Sequence, residues 1–363
     1  MTGTADPNFR MVRLAREMSE LTQTETAKRA GITQARLSRV ESGQVAASAD
    51  EADRLAAALG VPPAFLYELG VPAAVPLFRK RAIRSARRLA GIQARLNVAV
   101  LIAQRLLDAG VDLEATQRFP EPGDFAPDEP ELAAGALRRD WRLPAGPVDD
   151  VTATIESAAG LVLRVDFGTS DATAAFIATP ADGRLWFLVN TRETAGDRIR
   201  LSLAHELGHA VLHRLLPAVD EGEVETQAFR FAAALLLPAE PFDRAVPFDA
   251  LTLQEARRLK RVYRVSIQAI IRAAYDRGRI SRSRYTSLFK QLSARQWRIH
   301  EPEPVAVEIP YLWPEVIEVH RVEHGYSDAD LAGIARVDPV TLNALFPEQF
   351  EAPRPKLRNV SAT

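Results

Sequence analysis

In the first part of the chain, apolar residues recur with the period of an α-helix in short segments, and glycines separate these segments. Apolar residues recur at this spacing over residues 8–69, and the breaks fall at Gly31, Gly43 and Gly60. Pro62 then opens a last short helix, because proline is tolerated in a first helical turn. The pattern predicts a compact, all-helical domain.

A basic segment and a proline-rich loop follow. Residues 71–107 keep a helical pattern without any acidic residue. Residues 119–130, FPEPGDFAPDEP, lack apolar periodicity and concentrate proline and acids. We expect a basic helical connector and a Pro-rich linker, which together cover 71–130. The basic side chains either contact phosphates or form a solvated helix face. The basic residues are Arg79, Lys80, Arg81, Arg84, Arg87, Arg88, Arg95 and Arg105.

After residue 130 the periodicity changes from helix to strand and back to helix. Three strand-like runs follow a helix that Gly160 closes, and Asp182-Gly183 before the last run is a hairpin signal. Pro238 ends a later helix. The predicted elements are helix 148–159, strands 161–167, 173–178 and 184–190, helices 198–215 and 223–237, and strongly basic helices over 251–295. The Pro-broken region 301–363 is expected to be a small helical appendage.

Composition then narrows the class of protein. Hydrophobic residues make up 47% of the 363 residues and charged residues 26%, the mix of a soluble globular protein. The longest apolar runs are too short to span a bilayer, so we expect no membrane partner and a cytoplasmic location. The chain has no cysteine, so a metal site must use histidine and carboxylate ligands.

Residues 21–43, LTQTETAKRAGITQARLSRVESG, have the spacing of two helices joined by a tight turn. Thr22 with Glu25 three residues later forms a capping box, and Thr33 is placed to cap the second helix. Thr26 lies at a position where domains of this kind usually have a larger apolar residue. The positions expected to face a shared core are Ala27, Ile32, Leu37 and Val40.

This stretch resembles the XRE/Cro-repressor family of helix-turn-helix domains, over residues 8–70. The resemblance implies that the second helix enters the major groove of double-stranded DNA and that Gln23 sits near a phosphate. Glutamine can pair with adenine and arginine with guanine, which suits base reading. The residues implied to read base edges are Gln34, Ala35, Arg36 and Arg39. A protein-docking module without DNA binding is the alternative, since acidic residues offset the basic ones here.

His205, Glu206 and His209 form an HExxH motif inside an amphipathic helix, LSLAHELGHAVLH. Residues four apart stand on one helix face, so two imidazoles can point at one zinc ion. Glu206 is placed to accept a proton from a zinc-bound water. His213 continues the spacing, but helical drift directs a third such residue away from a tetrahedral ion, and we leave it outside the metal site.

A third protein ligand is needed, and the next helix offers Glu223 and Glu225. RIRLSLAHELGHAVLH followed by EVETQAFRFAAALLLP resembles the ImmA/IrrE family of metallopeptidases, over roughly residues 130–300. The family's Glu-x-x-Ala-x-x-Phe-Ala run implies Glu225 as the third ligand, with Glu223 as the alternative. Phe229 departs from the polar residue common at its position. The matching residues are Glu225, Ala228, Phe231 and Ala232.

The predicted fold class is therefore multidomain. An all-α helix-turn-helix domain (8–70) and the connector (71–130) precede an α+β zincin-like metallopeptidase domain (131–300) and a mostly helical C-terminal region (301–363). In zincin-like folds a small sheet lies over the active-site helix, and its exposed edge takes an extended peptide as an added strand.

The motifs together predict a DNA-binding regulatory zinc endopeptidase. The ImmA/IrrE resemblance implies that the protein substrate is a transcriptional repressor, cut in a stress or mobile-element response. The alternative is a transcription factor whose metallopeptidase-like half is a non-catalytic sensor of zinc or a ligand. Glu206 favours the enzyme, because a sensor needs ligands but no general base.

Several further points stay open at the level of sequence. A structural zinc site is less expected, because such sites often close with cysteine. The basic region 257–298 is expected to pack on the peptidase domain, and a second nucleic-acid surface is the weaker alternative, because charge alone is only an electrostatic footprint. A homodimer is one open expectation, and Tyr263 and His213 are the candidates for a residue that stabilises an oxyanion.

Overall fold

The structure is a computed structural model, and it describes residues 7–68, 85–179, 183–214, 221–246 and 248–350. Its helices up to the sheet are α1 Phe9–Met18, α2 Gln23–Ala30, α3 Gln34–Glu41, α4 Ala49–Leu59, α5 Pro63–Leu66, α6 Ala86–Asp108, α7 Pro130–Asp140 and α8 Val151–Glu156. Its strands are β1 Leu161–Val165, β2 Ala174–Ala178 and β3 Leu185–Asn190.

Helices fill the rest of the described chain. They are α9 Gly196–Leu212, α10 Glu221–Leu236, α11 Ala239–Ala245, α12 Leu253–Tyr263, α13 Ile267–Asp276, α14 Arg282–Ala294, α15 Leu312–Val322, α16 Asp328–Ile334, α17 Pro339–Leu345 and α18 Pro347–Phe350. The predicted order of a helical domain, a small mixed sheet with helices and a helical C-terminal region is confirmed. None of the helices described here is long and apolar enough to cross a membrane.

Helices α1 to α5 form the predicted helical domain. The capping box of Thr22 and Glu25 begins α2, and Thr33 accepts a hydrogen bond from Arg36 N at the start of α3. Gly31 ends α2 with a φ of 67°, a conformation that glycine adopts without steric cost. The predicted core is confirmed: Ala27, Leu37 and Val40 are buried, and Ile32 packs against them.

Helix α6 is a core element, where the sequence suggested a basic connector. Its apolar residues join one hydrophobic cluster with the helix-turn-helix domain, one face of the sheet and the C-terminal helices. The physical reason is that thirteen of its residues are buried, while the arginines reach neighbouring elements from its margins. The predicted basic residues Arg79, Lys80, Arg81 and Arg84 lie outside the described residues.

The arginines of α6 bind protein groups on both sides of the helix. Arg87 donates to Glu20 O and pairs with Glu25 at 3.3 Å, both in the helix-turn-helix domain. Arg88 donates to Thr169 Oγ1 at 2.6 Å and pairs with Asp171, in the loop before β2. These contacts hold Arg87 and Arg88 against other parts of the protein. Binding a phosphate or extending into solvent, the two roles expected for these arginines, would require breaking them.

The sheet has the order β1-β3-β2, with β1 and β3 parallel and β2 and β3 antiparallel. The three predicted strands are confirmed, as is the antiparallel pairing expected from the hairpin signal, although Asp182 lies outside the described residues. Alternate residues face two different cores, as strand geometry requires. Val162, Phe176 and Phe187 pack with α9, whereas Leu163, Ile177 and Leu188 pack with α6.

The loop expected to be a free linker is packed against the sheet. The ring of Phe119 lies 5.3 Å from that of Trp141 and 6.0 Å from that of Phe187. Arg214 at the end of α9 donates to Pro120 O. Burial of a large aromatic ring removes apolar surface from water, and this fixes a segment whose composition alone suggested flexibility.

The C-terminal helices belong to the core, where the sequence suggested an appendage. Trp313 of α15 is fully buried in the cluster that contains α6. Glu308 accepts hydrogen bonds from Val151 N and Thr152 N at the start of α8 and pairs with the buried Arg200 of α9. These contacts join residues about 100 to 160 positions apart in the sequence, and no local sequence pattern predicts them. Residues 351–363 lie outside the described part of the chain.

The basic helices α12 to α14 pack on the metallopeptidase-like region, which was the favoured expectation. Lys260 is buried and pairs with Asp197 at 2.6 Å and with Glu301 at 2.9 Å. Arg257 and Arg261 both pair with Glu303. Much of the positive charge of these helices is therefore neutralised within the protein.

Candidate metal centre and nucleic-acid surface

Close packing of α9 and α10 builds the candidate metal centre. His205 and His209 stand one turn apart on α9, so their rings share a face. Gly208 lies against α10, where an added Cβ would stand 3.1 Å from Cα and O of Ala228. This small residue lets the two helix backbones approach closely, and the approach brings Glu225 to the two histidines.

The three side chains meet at their ligand atoms. His205 Nε2 and His209 Nε2 are 3.1 Å apart, and Glu225 Oε1 and Oε2 lie 3.3 Å from His209 and 3.5 Å from His205. All three ligand atoms fall within 4.8 Å of one another. Two imidazole nitrogens and one carboxylate oxygen are a donor set that leaves a fourth position open on a tetrahedral metal ion. The residues therefore fit a metal of this kind.

Burial and mutual contacts shift the protonation of these ligands. His209 is fully buried, and burial lowers its pKa, which favours the neutral form that binds metals. Burial acts to raise the pKa of Glu225, but hydrogen bonds from His205 and His209 outweigh it and hold that pKa below the ordinary value. Both shifts favour the protonation states that a cation requires of His209 and Glu225.

A hydrogen-bonded chain supports His209 from behind. His209 Nδ1 lies 3.2 Å from His213 Nδ1, and His213 Nε2 lies 2.8 Å from Gln227 Oε1. Gln227 Nε2 in turn donates to Glu223 Oε1 at 3.3 Å. If His209 donates through Nδ1, its Nε2 is left free to bind an ion, a common arrangement for histidine ligands. Glu223, the alternative ligand, ends this chain and is outside the three-residue cluster.

Glu206 lines a cavity of about 530 Å³ beside the cluster. It is 3% exposed, its carboxylate accepts a hydrogen bond from Phe176 N, and Oε2 has no hydrogen-bond partner among the described residues. Burial, and then the charge of Glu225, raise the pKa of Glu206 well above its usual value. A carboxylate whose pKa is raised holds a proton more readily than an ordinary one, which suits a group at a cavity wall that accepts and returns a proton.

The outer edge of β2 forms one wall of this cavity. Thr173 O accepts from Asn190 N in β3, so the alternating pattern turns the backbone groups of Ala174 and Phe176 toward the opposite side. Phe176 N uses this direction to reach Glu206. Ala174 lines the cavity.

Two cavity residues on α9 escaped the sequence analysis. Arg198 and Ser202 precede His205 by two turns and by one turn, and all three line the cavity. The signal was a polar stripe at positions 198, 202, 205 and 209 on one helix face. Neither Tyr263 nor His213, the guesses for an oxyanion-stabilising residue, is among the residues that line this cavity.

The second candidate surface is the start of α3. Gln34, Ala35 and Arg39 are exposed, as base reading requires. Gln34 Nε2 donates to Gln23 Oε1 at 2.9 Å, and Gln23 Nε2 donates to Glu41 Oε2 at 2.9 Å. Gln23 thus connects the exposed glutamine to the interior of the domain.

Arg36 is placed differently from Gln34, Ala35 and Arg39, the other residues of α3 that the sequence implies as base readers. Its guanidinium binds Glu51 of α4 through two hydrogen bonds of 2.9 and 2.8 Å and also donates to Ala46 O. The hydrogen bond from Arg36 is the largest cause that lowers the pKa of Glu51, to about 2. A two-point contact of this kind holds the side chain of Arg36 against α4, and a contact between Arg36 and a base would compete with it.

Comparison with known families supports both parts of the chain. Residues 162–275 match a peptidase family model described as the IrrE N-terminal-like domain. Residues 12–66 match a family model described as helix-turn-helix. A comparison with curated proteins gave no significant match. The two resemblances stated from the sequence are therefore confirmed at the level of domains.

Proposed function

We propose that this chain, which joins an XRE-type helix-turn-helix domain to an ImmA/IrrE-like metallopeptidase domain, is a DNA-binding regulatory zinc endopeptidase. The observation that carries the proposal is the meeting of His205, His209 and Glu225 beside the buried Glu206. A sensor would need the three ligands but not a carboxylate held in the cavity wall next to them.

The chain's own residues provide most of what peptide hydrolysis requires. His205, His209 and Glu225 would hold a zinc ion, which when bound acts as a Lewis acid that polarises a carbonyl and makes water more acidic. Glu206 accepts a proton from the attacking water as the new C–O bond forms. The same carboxyl then donates that proton to the leaving nitrogen as the C–N bond breaks.

Substrate binding follows from the shape of the cavity. An extended segment of the substrate adds to the outer edge of β2 at Ala174, which lines the cavity next to the hydrogen bond between Phe176 N and Glu206. Arg198 pairs with Glu193 at 3.4 Å but stays exposed at the cavity wall, from which it offers positive charge to a peptide carbonyl or carboxylate. Only an extended or locally unfolded segment fits this mode of binding.

The helix-turn-helix domain directs the peptidase to substrates on DNA. Gln34, Ala35 and Arg39 would contact bases and Gln23 would approach a phosphate, while Arg36 positions α3 through Glu51. Binding to the same DNA raises the effective concentration of a neighbouring regulator. A transcriptional repressor is therefore the substrate we propose, in a stress or mobile-element response.

The test is cleavage of a candidate repressor by zinc-loaded protein, with and without a DNA fragment that both proteins bind. We expect discrete fragments that form faster on shared DNA, and none with Glu206→Gln. Equal cleavage of unfolded proteins of any kind would contradict a regulatory substrate. Metal binding and repressor recognition without any hydrolysis would favour the sensor.

A further inference from the structure

A second and larger cavity lies next to the catalytic one. Its volume is about 1060 Å³, and residues of α7, α10, α13 and α14 line it as an open groove. At the upper end of the usual range for ligand sites, it is far larger than one side chain requires. Nothing in the mechanism above uses this groove.

The helices that form the walls of the groove carry short apolar side chains. Ala233 and Ala234 of α10 and Ala269 of α13 contribute only methyl groups, and all three are half-buried. Phe289 of α14 closes one side. Because the methyl groups cannot fill the space between the helices, the groove can accept large apolar side chains from another molecule.

The charged residues at the rim neutralise one another. Three of the four arginines that line the groove have an acidic partner from α7, α11 or their own helix, and the buried Arg138 donates to backbone oxygens instead, so the groove offers apolar surface more than charge. The pairs are Arg230 with Glu131 at 2.7 Å, Arg272 with Asp276 at 2.7 Å and Arg277 with Asp243 at 3.5 Å.

The groove continues directly from the catalytic cavity. Leu201 and Phe229 line both spaces. The ring of Phe229 lies 4.2 Å from that of His205, so this side chain stands between the metal ligands and the groove. A chain that passes His205 and continues beyond Phe229 therefore enters the groove.

We propose that the groove binds a segment of the protein substrate that carries several large apolar side chains, adjacent to the segment that is cut. This proposal rests on the peptidase function proposed above, and it names the kind of sequence the enzyme selects. Phe229 is the residue that separates the cut segment from the bound one, at a position where the family commonly has a polar residue. Apolar side chains bound here leave water, which favours binding without a charged partner.

Binding is tested without hydrolysis in the full-length Glu206→Gln protein loaded with zinc. The probes are a fluorescein-labelled peptide rich in leucine and phenylalanine and a length-matched peptide rich in serine and glutamine, followed by fluorescence polarisation. We expect the apolar peptide to bind at least about tenfold more tightly. Ala269→Glu and Ala233→Glu, on opposite walls, should each remove this preference, because they place a charge in the groove.

The matched control is Ala329→Glu, an exposed alanine of α16 that lies outside the groove. It should bind both peptides as the parent does, and thermal melts should show that all the variants are folded. Equal binding by the parent and both folded groove variants would overturn the proposal. Dimerisation that Ala269→Glu abolishes, seen by sedimentation, would also overturn it, since the groove would then hold a second copy.

Parallel assays with Glu206 intact separate this proposal from the proposed function. If the parent cuts peptides and the groove variants cut them equally well with the same KM, only the groove proposal fails. If the parent cuts nothing while groove-dependent binding of the apolar peptide persists, the proposed hydrolysis fails and the groove stands only as a binding site for an apolar segment.

Discussion

The candidate metal centre and the recognition helix use the same local geometry in opposite surroundings. Each places its proposed contact residues about one helical turn apart, His205 and His209 on α9 and Ala35 and Arg39 on α3. His205 and His209 are at most 3% exposed, however, whereas Gln34 and Arg39 lie at the surface. The difference follows from the tasks, because a metal site needs fixed ligands shielded from competing water and a base reader must reach another molecule.

The two regions also differ in how the surrounding fold supports them. Behind His209 a chain of buried polar groups runs through His213 and Gln227. Behind Gln34, the described residues provide a shorter link, through Gln23 and its contact with Glu41. Substitutions in the first region should therefore have large effects, while those in the second should be graded.

The largest effect is expected for metal binding. His209→Ala removes one of three ligands and should weaken zinc affinity on the order of a thousandfold. His213→Ala removes only the support and should cost about 10- to 100-fold. Competition with a zinc chelator measures both values. An unchanged affinity in His213→Ala would show that the buried chain does not position the ligand.

A somewhat smaller effect is expected when a buried ion pair away from the metal ligands is broken. Glu308→Ala leaves Arg200, which is fully buried, without its carboxylate partner, and should lower the free energy of unfolding by about 3 to 5 kcal/mol. Glu318→Ala, at an exposed position of α15, is the control and should change it by less than about 0.5 kcal/mol. Urea denaturation measures both, and equal effects would contradict the role of Glu308 in joining α8, α9 and the C-terminal region.

The smallest effects are expected on the recognition helix. Gln34→Ala and Arg39→Ala should each cost about 1 to 3 kcal/mol for the preferred DNA sequence and relax the preference. Arg36→Ala should instead lower the stability of the domain, because it breaks the pair with Glu51. Binding titrations on preferred and scrambled duplexes decide this. A loss of preference in a stable Arg36→Ala protein would show that Arg36 reads bases after all.

Sequence reasoning worked best where the chemistry is local. His205, Glu206 and His209 belong to one helix, and Glu225 follows within a short run that resembles a known family. The three strands were also predictable, because their apolar runs are bounded by glycine or turn residues. In these cases the relevant contacts form between residues close in the chain or within one known motif.

The features that the sequence did not predict depend on contacts between residues far apart in the chain. The arginines of α6 looked like a free basic face because their partners, such as Asp171 and Glu68, belong to other elements. Arg36, which the sequence implies as a base reader, also pairs with Glu51, which lies on α4. Neither pairing leaves a periodic or spacing signal, so composition and local pattern could not distinguish exposed charge from paired charge.

The central claim is that His205, His209 and Glu225 hold a metal while Glu206 moves the proton. Its most direct test is to measure zinc content and hydrolysis of a repressor substrate on the same samples of the parent, Glu206→Gln and His205→Ala. We predict about one zinc per chain in the parent and in Glu206→Gln, with hydrolysis reduced at least about 100-fold in the latter, and neither zinc nor activity in His205→Ala. Undiminished hydrolysis by zinc-loaded Glu206→Gln would contradict the account.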